Sequence, residues 1–404
     1  MTNQERVWQR IEKLSAIGKT QDGGVTRYSY TDEEAAANEL VKSFMEEAGL
    51  EAGYDSVGNL YGILKGEKDE TILIGSHVDS VPNGGNFDGP LGVLGGIEVL
   101  QTLQEEGIKP KHTLKVMAFK DEEGSRFGLG MIGSRAVAGT LTQHQLQQQD
   151  SEGVSIHEAM TSMGYDPTAV SEAALTQVKA YIELHIEQGK ILESAQVPAG
   201  VVSGIAGPVW LRMKLTGEAG HAGSTPMNQR RDTLVAASLI IAEIERIALQ
   251  HPDLVATVGQ IAVKPGGTNV IPGYSEWTLD LRHVDEAVRD QAEKQIRDAT
   301  AQIANERDLE LEIDEMQRIS PAPCSEQIQQ LIQTSLEEAG IKPITLPSGA
   351  GHDGMQFIGK WPMGMIFARS KDGISHNPKE WTTSDDVATA VNILDRTVRA
   401  LDQT

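Results

Sequence analysis

ETILIGSHVDSVPNGGNFDGPLGVLGGIEVLQTLQEEG, residues 70–107, is the stretch on which the architecture of this chain turns. It opens with a short apolar run, residues 70–76, that stops at Gly75, Ser76 and His77. A glycine-rich loop then carries Asp88. Pro90 follows, and Leu91, Leu94, Ile97, Leu100 and Leu103 fall on one stripe. That pattern predicts a strand, a loop and a helix over residues 90–106. HTLKVMAFK at 112–120 predicts a second strand and KAYIELHIE at 179–187 a third. Strands alternating with helices imply an α/β fold with a mostly parallel sheet covered by helices. Residues 142–177, rich in Gln and Ser, read as an irregular helical excursion.

From about residue 209 the rhythm changes. VWLRMKLTG reads as a strand, RRDTLVAASLIIAEIERIAL as a helix, and LVATVGQIAV and YSEWTLDLRHV as two strands. EAVRDQAEKQIRDATAQIANERD then reads as a helix and LELEIDEM as a strand. This β-α-β-β-α-β order is that of a ferredoxin-like unit. The α/β rhythm returns with a helix at about 325–339, a strand at 362–370 and a last helix at 382–402. The expectation is a discontinuous domain of residues 1–208 and 319–404 with a second domain, 209–318, inserted into it.

The 404 residues suit two domains. A formal net charge of -23 argues against nucleic acid and anionic membrane as partners. The longest apolar run, Leu234 to Ile244, is too short to span a bilayer and reads as a buried helix. Val7, Ile11, Leu14 and Ile17 sit at helical spacing among charges, unlike a signal peptide. Cys324 is the one cysteine, which excludes an intrachain disulfide and a thiolate zinc site. After Pro321 and Pro323 it is a poor nucleophile candidate, and the absence of disulfides suits a reducing, cytoplasmic setting.

The chemistry-bearing residues stand beside turn signals. His77 and Asp79 follow the first strand, two residues apart and so on one face. A carboxylate there can fix the tautomer of a metal-ligating imidazole. Asp88 suits a helix cap as well as a bridge between two cations, which sit about 3.5–4 Å apart in two-metal sites. In KDEEGSRF, adjacent Glu122 and Glu123 at a strand end can point in different directions. One can hold a metal while the other takes a proton. Such a pair is more often a solvated acidic turn, but this one follows an apolar strand at the sheet edge where α/β folds place ligands. His185 in ELHIEQG and His376 in GISHNPKEW complete the set. Imidazole with carboxylate suits zinc, manganese, cobalt or nickel without choosing among them. The second domain offers His221 in GHAGSTPM, Asn269 in GGTNVIPG and Arg282 in LDLRHV. Arg282 can clamp a carboxylate with two parallel hydrogen bonds or form an ordinary surface ion pair.

GSHVDSV, GGNFDGPLGV, DEEGSRF, ELHIEQG, GHAGSTPM, GGTNVIPG and SHNPKEW, taken in order, resemble the hydantoinase/carbamoylase group of the M20 metallopeptidase clan over essentially the whole chain. The resemblance implies a phosphorylase/hydrolase-like catalytic domain with an inserted ferredoxin-like α+β domain that serves as lid and dimerisation surface. It implies two divalent metal ions per subunit. His77, Asp88 and His185 would hold one, and Asp88, Glu123 and His376 the other, with Asp88 bridging. Glu122 would be the general base and Asp79 would orient His77. Gln188, His221, Asn269 and Arg282 would bind substrate, with Gly351, His352 and Asp353 of SGAGHDGM near the pocket. In relatives the histidine of the HAG motif stabilises the oxyanion and comes from the partner subunit. Many relatives carry Asn or an acid before that histidine; here it is Gly220, which bears on the tuning of His221.

The expected reaction is metal-dependent hydrolysis of the ureido C–N bond of an N-carbamoyl-L-amino acid. Allantoate amidohydrolase is the alternative, since both substrates set a ureido group beside a carboxylate. β-Ureidopropionase and aminoacylase stand further off, HIEQG arguing against a true amide. A binding protein that had lost activity would be expected to lack Glu122 or a ligand.

Overall fold

The structure is a computed structural model that describes residues 2–404. Internal packing divides it into two compact units, Met1–Gly204 with Cys324–Thr404, and Ile205–Pro323.

In the first unit, four parallel strands form the middle of a sheet, in the order His112–Phe119, Lys68–His77, Val178–Ile186 and Met363–Ala368. The flanks are antiparallel. Leu60–Leu64 and Glu51–Tyr54 extend one side and Ala199–Ile205 the other. The expectation of a mostly parallel sheet therefore describes its centre. Parallel strands need cover on both faces, and these are buried almost throughout. The Pro90–Glu105 helix has Pro90 in its first turn and is buried on every side from Pro90 to Leu100. It packs with Ser384–Gln403 over the sheet. Truncating a fully buried Leu94 or Leu394 to Ala would cost about 2–5 kcal/mol. Residues 142–177 hold only short helices, among them Ile156–Ser162, which a Ser155–Glu158 capping box starts. Leu146, Ile156 and Met160 join Tyr30 and Phe127 in a separate apolar cluster. Cys324 is buried, and burial pushes its thiol up to about 12, which removes it as a nucleophile.

The second unit is an antiparallel sheet ordered Glu310–Arg318, Gly207–Thr216, Tyr274–His283 and Ile261–Lys264. With helices Thr233–Ala248 and Glu286–Glu306 this is the ferredoxin-like order. Asp232 and Asp285 cap the two helices through their side chains. Two expectations are corrected here. The strand read over 254–263 is broken into Val255–Thr257 and Ile261–Lys264, both paired with Tyr274–His283. The helix read as buried is buried on one face only. Ala236, Ile240, Ile244 and Ile247 face the core, while Leu234, Val235 and Leu239 are 37%, 40% and 45% exposed. Composition reports how apolar a helix is, not how much of it finds a partner. No helix among the described residues is long and apolar enough to cross a membrane.

Candidate active site

All four parallel strands deliver a residue to one place, their carboxyl ends. His77 closes Lys68–His77, Glu122 and Glu123 follow His112–Phe119, and His185 is next to last in Val178–Ile186. His376 lies in the loop after Met363–Ala368. Asp88 comes from the loop before the Pro90–Glu105 helix. Gly89, at φ +83, is required there because a Cβ would fall 2.5 Å from the His77 ring.

The structure brings the five expected ligands together. Donor atoms of His77, Asp88 and His185 lie within 4.8 Å of one another, as do those of Asp88, Glu123 and His376. Asp88 turns Oδ1 to His185 Nε2 (3.2 Å) and His77 Nε2 (3.7 Å), and Oδ2 to His376 Nε2 (3.3 Å). Glu123 stands 3.5 Å from His376 Nε2, and Glu122 3.7 Å from His77 Nε2. His77 Nδ1 faces the main-chain oxygen of Asp79 at 3.1 Å, with the Asp79 carboxylate at 3.5 Å. His185 Nδ1 faces the Ile186 carbonyl at 3.0 Å. These contacts fix the tautomers and leave both Nε2 atoms facing the cluster. His77 Nε2 and His185 Nε2 are buried without a hydrogen-bond partner among the described residues.

The electrostatics describe a cavity short of positive charge. Burial alone would raise Asp88, but His185, His376 and His77 overcome it and hold its carboxyl well below the usual range. Burial, reinforced by Glu123 and Asp353, pushes Glu122 well above it. Burial and then Asp88 push Glu123 up to about 7. Asp88 lifts His376 to about 9 against the effect of burial. His77 and His185 are raised too, their carboxylate neighbours outweighing desolvation. The two unpartnered imidazole nitrogens, with His376 and the carboxylates of Asp88 and Glu123, are a donor set that fits divalent cations.

Gln188 donates Nε2 to Asp88 Oδ2 at 2.7 Å. A cavity of about 210 Å³ over the cluster is lined also by Gln188, Gly351 and His352, with Met131 and Ala350 as its apolar side. His352 is buried against His185, ring centroids 4.4 Å apart, and Ser348 Oγ is 2.7 Å from its Nε2. Burial holds it neutral. Asp353 is wholly buried, its carboxyl raised by burial and by Glu183. A larger groove of about 730 Å³ lies far from this chemistry, its Arg396 and Arg399 already paired with Glu338 and Asp395.

His221, Asn269 and Arg282 belong to the second unit. His221 pairs with Val270, and the Asn269 carbonyl accepts from Ala222 N, so the first two adjoin. Gly223 N–H donates to His221 Nδ1 at 3.0 Å, which places the proton of the neutral ring on exposed Nε2. Arg282 grips both oxygens of Asp280 through Nε and Nη2, the ion pair that was the ordinary alternative for it.

Three functional neighbours escaped the sequence reading. Glu380, inside SHNPKEW, accepts the main-chain N–H of Phe87 and Asp88. Ser375 Oγ lies 2.6 Å from Asp88 Oδ2. Glu183, alternating with His185, is buried beneath it and bound by Ser76 and Tyr181. Alternation along the strand could have found Glu183. The other two are visible only through contacts distant in sequence.

The model of peptidase family M20/M25/M40 matches residues 73–400. The chain is 49% identical over 407 residues, 100% of both chains, to an N-carbamoyl-L-amino acid amidohydrolase of Geobacillus stearothermophilus. It is 38% identical over 388 residues to an allantoate amidohydrolase of Bacillus subtilis, covering 95% of this chain and 94% of that one. An amidase of the hydantoinase/carbamoylase family from Burkholderia multivorans superposes with a TM-score of 0.94 at 36% identity, over 100% of this chain and 98% of that one. The chain is a metal-dependent hydrolase that belongs to the M20/M25/M40 peptidase family, in its hydantoinase/carbamoylase branch.

Proposed function

We propose that this enzyme hydrolyses the ureido group of N-carbamoyl-L-amino acids to the amino acid, carbon dioxide and ammonia. The observation that carries this reading is the 49% identity, end to end, with an N-carbamoyl-L-amino acid amidohydrolase. In it, His77, Asp88 and His185 would hold one divalent cation, and Asp88, Glu123 and His376 a second. Bound there, the cations would supply Lewis acidity, to acidify a water and to polarise the carbamoyl oxygen. Glu122 takes the proton of the attacking water and returns it to the departing ammonia. Its burial and raised pKa suit a group that must carry a proton between the two. His221 donates Nε2–H to the developing oxyanion, the tautomer that Gly223 sets. Asn269 and Arg282 hold the substrate carboxylate and Gln188 the ureido group; Arg282 must then exchange Asp280 for substrate. The second unit acts as a lid and, through the exposed Leu234, Val235 and Leu239 stripe, as the surface of a homodimer.

Allantoate is the second reading, supported by the 38% identity to an allantoate amidohydrolase. Ammonia release by metal-reconstituted protein, with N-carbamoyl-L-methionine and allantoate in parallel, separates them. Faster turnover of the carbamoyl amino acid is expected. Faster turnover of allantoate overturns the substrate and leaves the residue roles standing.

A further inference from the structure

Asp88 Oδ2, the oxygen turned toward His376, carries two hydrogen bonds. They come from Ser375 Oγ at 2.6 Å and Gln188 Nε2 at 2.7 Å. A carboxylate oxygen offers two lone-pair directions, so both are taken on the side of the second cation. The same Ser375 Oγ stands 2.9 Å from Glu380 Oε2. A serine hydroxyl has one proton. It can point at Asp88 or at Glu380, but not at both.

Glu380 itself is fixed. It is 3% exposed, and Oε1 accepts the N–H of Phe87 at 2.8 Å and of Asp88 at 3.1 Å. Residue 85 must be glycine to admit it, since a Cβ there would lie 2.0 Å from the Glu380 carboxyl carbon. The rings of Phe87, Trp381 and Trp8 pack together beside these contacts, centroids 5.5 to 6.0 Å apart. A stationary acceptor thus stands within reach of a donor that needs only to rotate.

We propose that Ser375 and Glu380 form a hydroxyl switch that admits the second cation. Ser375 donates to Asp88 while the His376 side is empty, and turns to Glu380 when a cation claims the lone pair. No covalent bond changes and the serine keeps its proton. Gln188 Nε2, which also lies 3.4 Å from Ser375 Oγ, keeps or yields its own bond to Asp88 independently of the hydroxyl. Glu380 is a positioning residue in this scheme. The proposal rests on the two-cation reading above.

The scheme makes an unusual demand of Glu380→Gln. The new amide must keep its oxygen on the Phe87 and Asp88 N–H groups, since the reverse sets donor against donor. Its NH2 then faces Ser375, which must accept there. The serine proton is left aimed at Asp88 and competes with the cation. Deleting the hydroxyl should remove that competition.

The test is calorimetric titration of metal-free full-length protein with Mn²⁺, for wild type, Glu380→Gln, Ser375→Ala and the double variant. Wild type should take two ions. Glu380→Gln should keep the first and bind the second about tenfold or more weakly. Ser375→Ala should bind the second at least as tightly as wild type, and the double variant should match Ser375→Ala within roughly threefold. A double variant as weak as Glu380→Gln overturns the switch, since lost charge alone would then explain the defect. An unchanged Glu380→Gln overturns it as well. If Glu380→Gln does not fold, Ser375→Ala decides alone, a tenfold weakening of the second ion counting against the switch. One ion in wild type overturns the two-cation reading itself, and the switch with it.

Discussion

The carboxylate of Asp79 accepts the main-chain N–H of Glu122 at 3.3 Å and, through its other oxygen, that of Glu123 at 3.2 Å. Its main-chain oxygen meanwhile faces His77 Nδ1. Family resemblance implies one task for Asp79, to orient His77. The structure adds another, the aiming of both glutamates after the neighbouring strand. Asp79→Asn replaces one acceptor with a donor facing an amide N–H. Leaving such groups unsatisfied costs about 1–3 kcal/mol, so kcat should fall roughly 10- to 100-fold. Steady-state kinetics alongside metal analysis checks this; unchanged kcat would remove Asp79 from the aiming of Glu122.

Glu122→Gln keeps the shape of the site and removes the base. Turnover should fall about 10²- to 10⁴-fold while metal content stays that of wild type. Full activity in this variant would sink the base assignment.

Metal loading should release protons. Glu123 is pushed up to about 7 and His376 to about 9, so both carry protons near neutrality that a cation must displace. Titration in buffers of different ionisation enthalpy reads that release. The same shifts set the metal-free stability. A raised Glu123 favours the fold while it is protonated, an advantage lost as pH climbs from the ordinary carboxylate range through about 7. The raised His376 contributes below its ordinary pKa and loses this as pH passes about 9. The Tm of metal-free protein should therefore decline from pH 6 to pH 9, while the gain in Tm on adding metal grows. A flat difference across that range would mean these groups do not titrate in the site.

Arg282→Ala should raise KM for carboxylate-bearing substrates by about tenfold or more, with kcat little changed. The Asp280 contact supplies the competing outcome, in which Arg282 only ties its strand and KM does not move.

Leu239, 45% exposed on the Thr233–Ala248 helix, is the place to test assembly. Leu239→Glu sets a charge in the apolar stripe and should convert a dimer to a monomer by light scattering, without loss of helix signal. A dimer that survives places the interface elsewhere.

The parallel centre of the sheet was legible because its strands carry buried, largely apolar stretches, such as Ile72 to Ile74 and Val116 to Phe119, that run into turns bearing polar residues. The edges were not. Glu51–Tyr54, Leu60–Leu64 and Ala199–Ile205 are short, carry glycine, and form only because a neighbour pairs with them. The ligands could be read because each stands beside a turn and belongs to a recognisable segment. Glu380 could not be singled out. Between Lys379 and Trp381 it looks like a solvated surface charge, and only the approach of Phe87, 293 residues away, buries it.

The packing of Trp8 on Phe87 and Trp381 has an optical consequence. Two of the five tryptophans adjoin the segments that carry Asp88 and Glu380, one of them 44% exposed. Ultraviolet emission from the unlabelled protein therefore offers a readout of these two segments as cation is added.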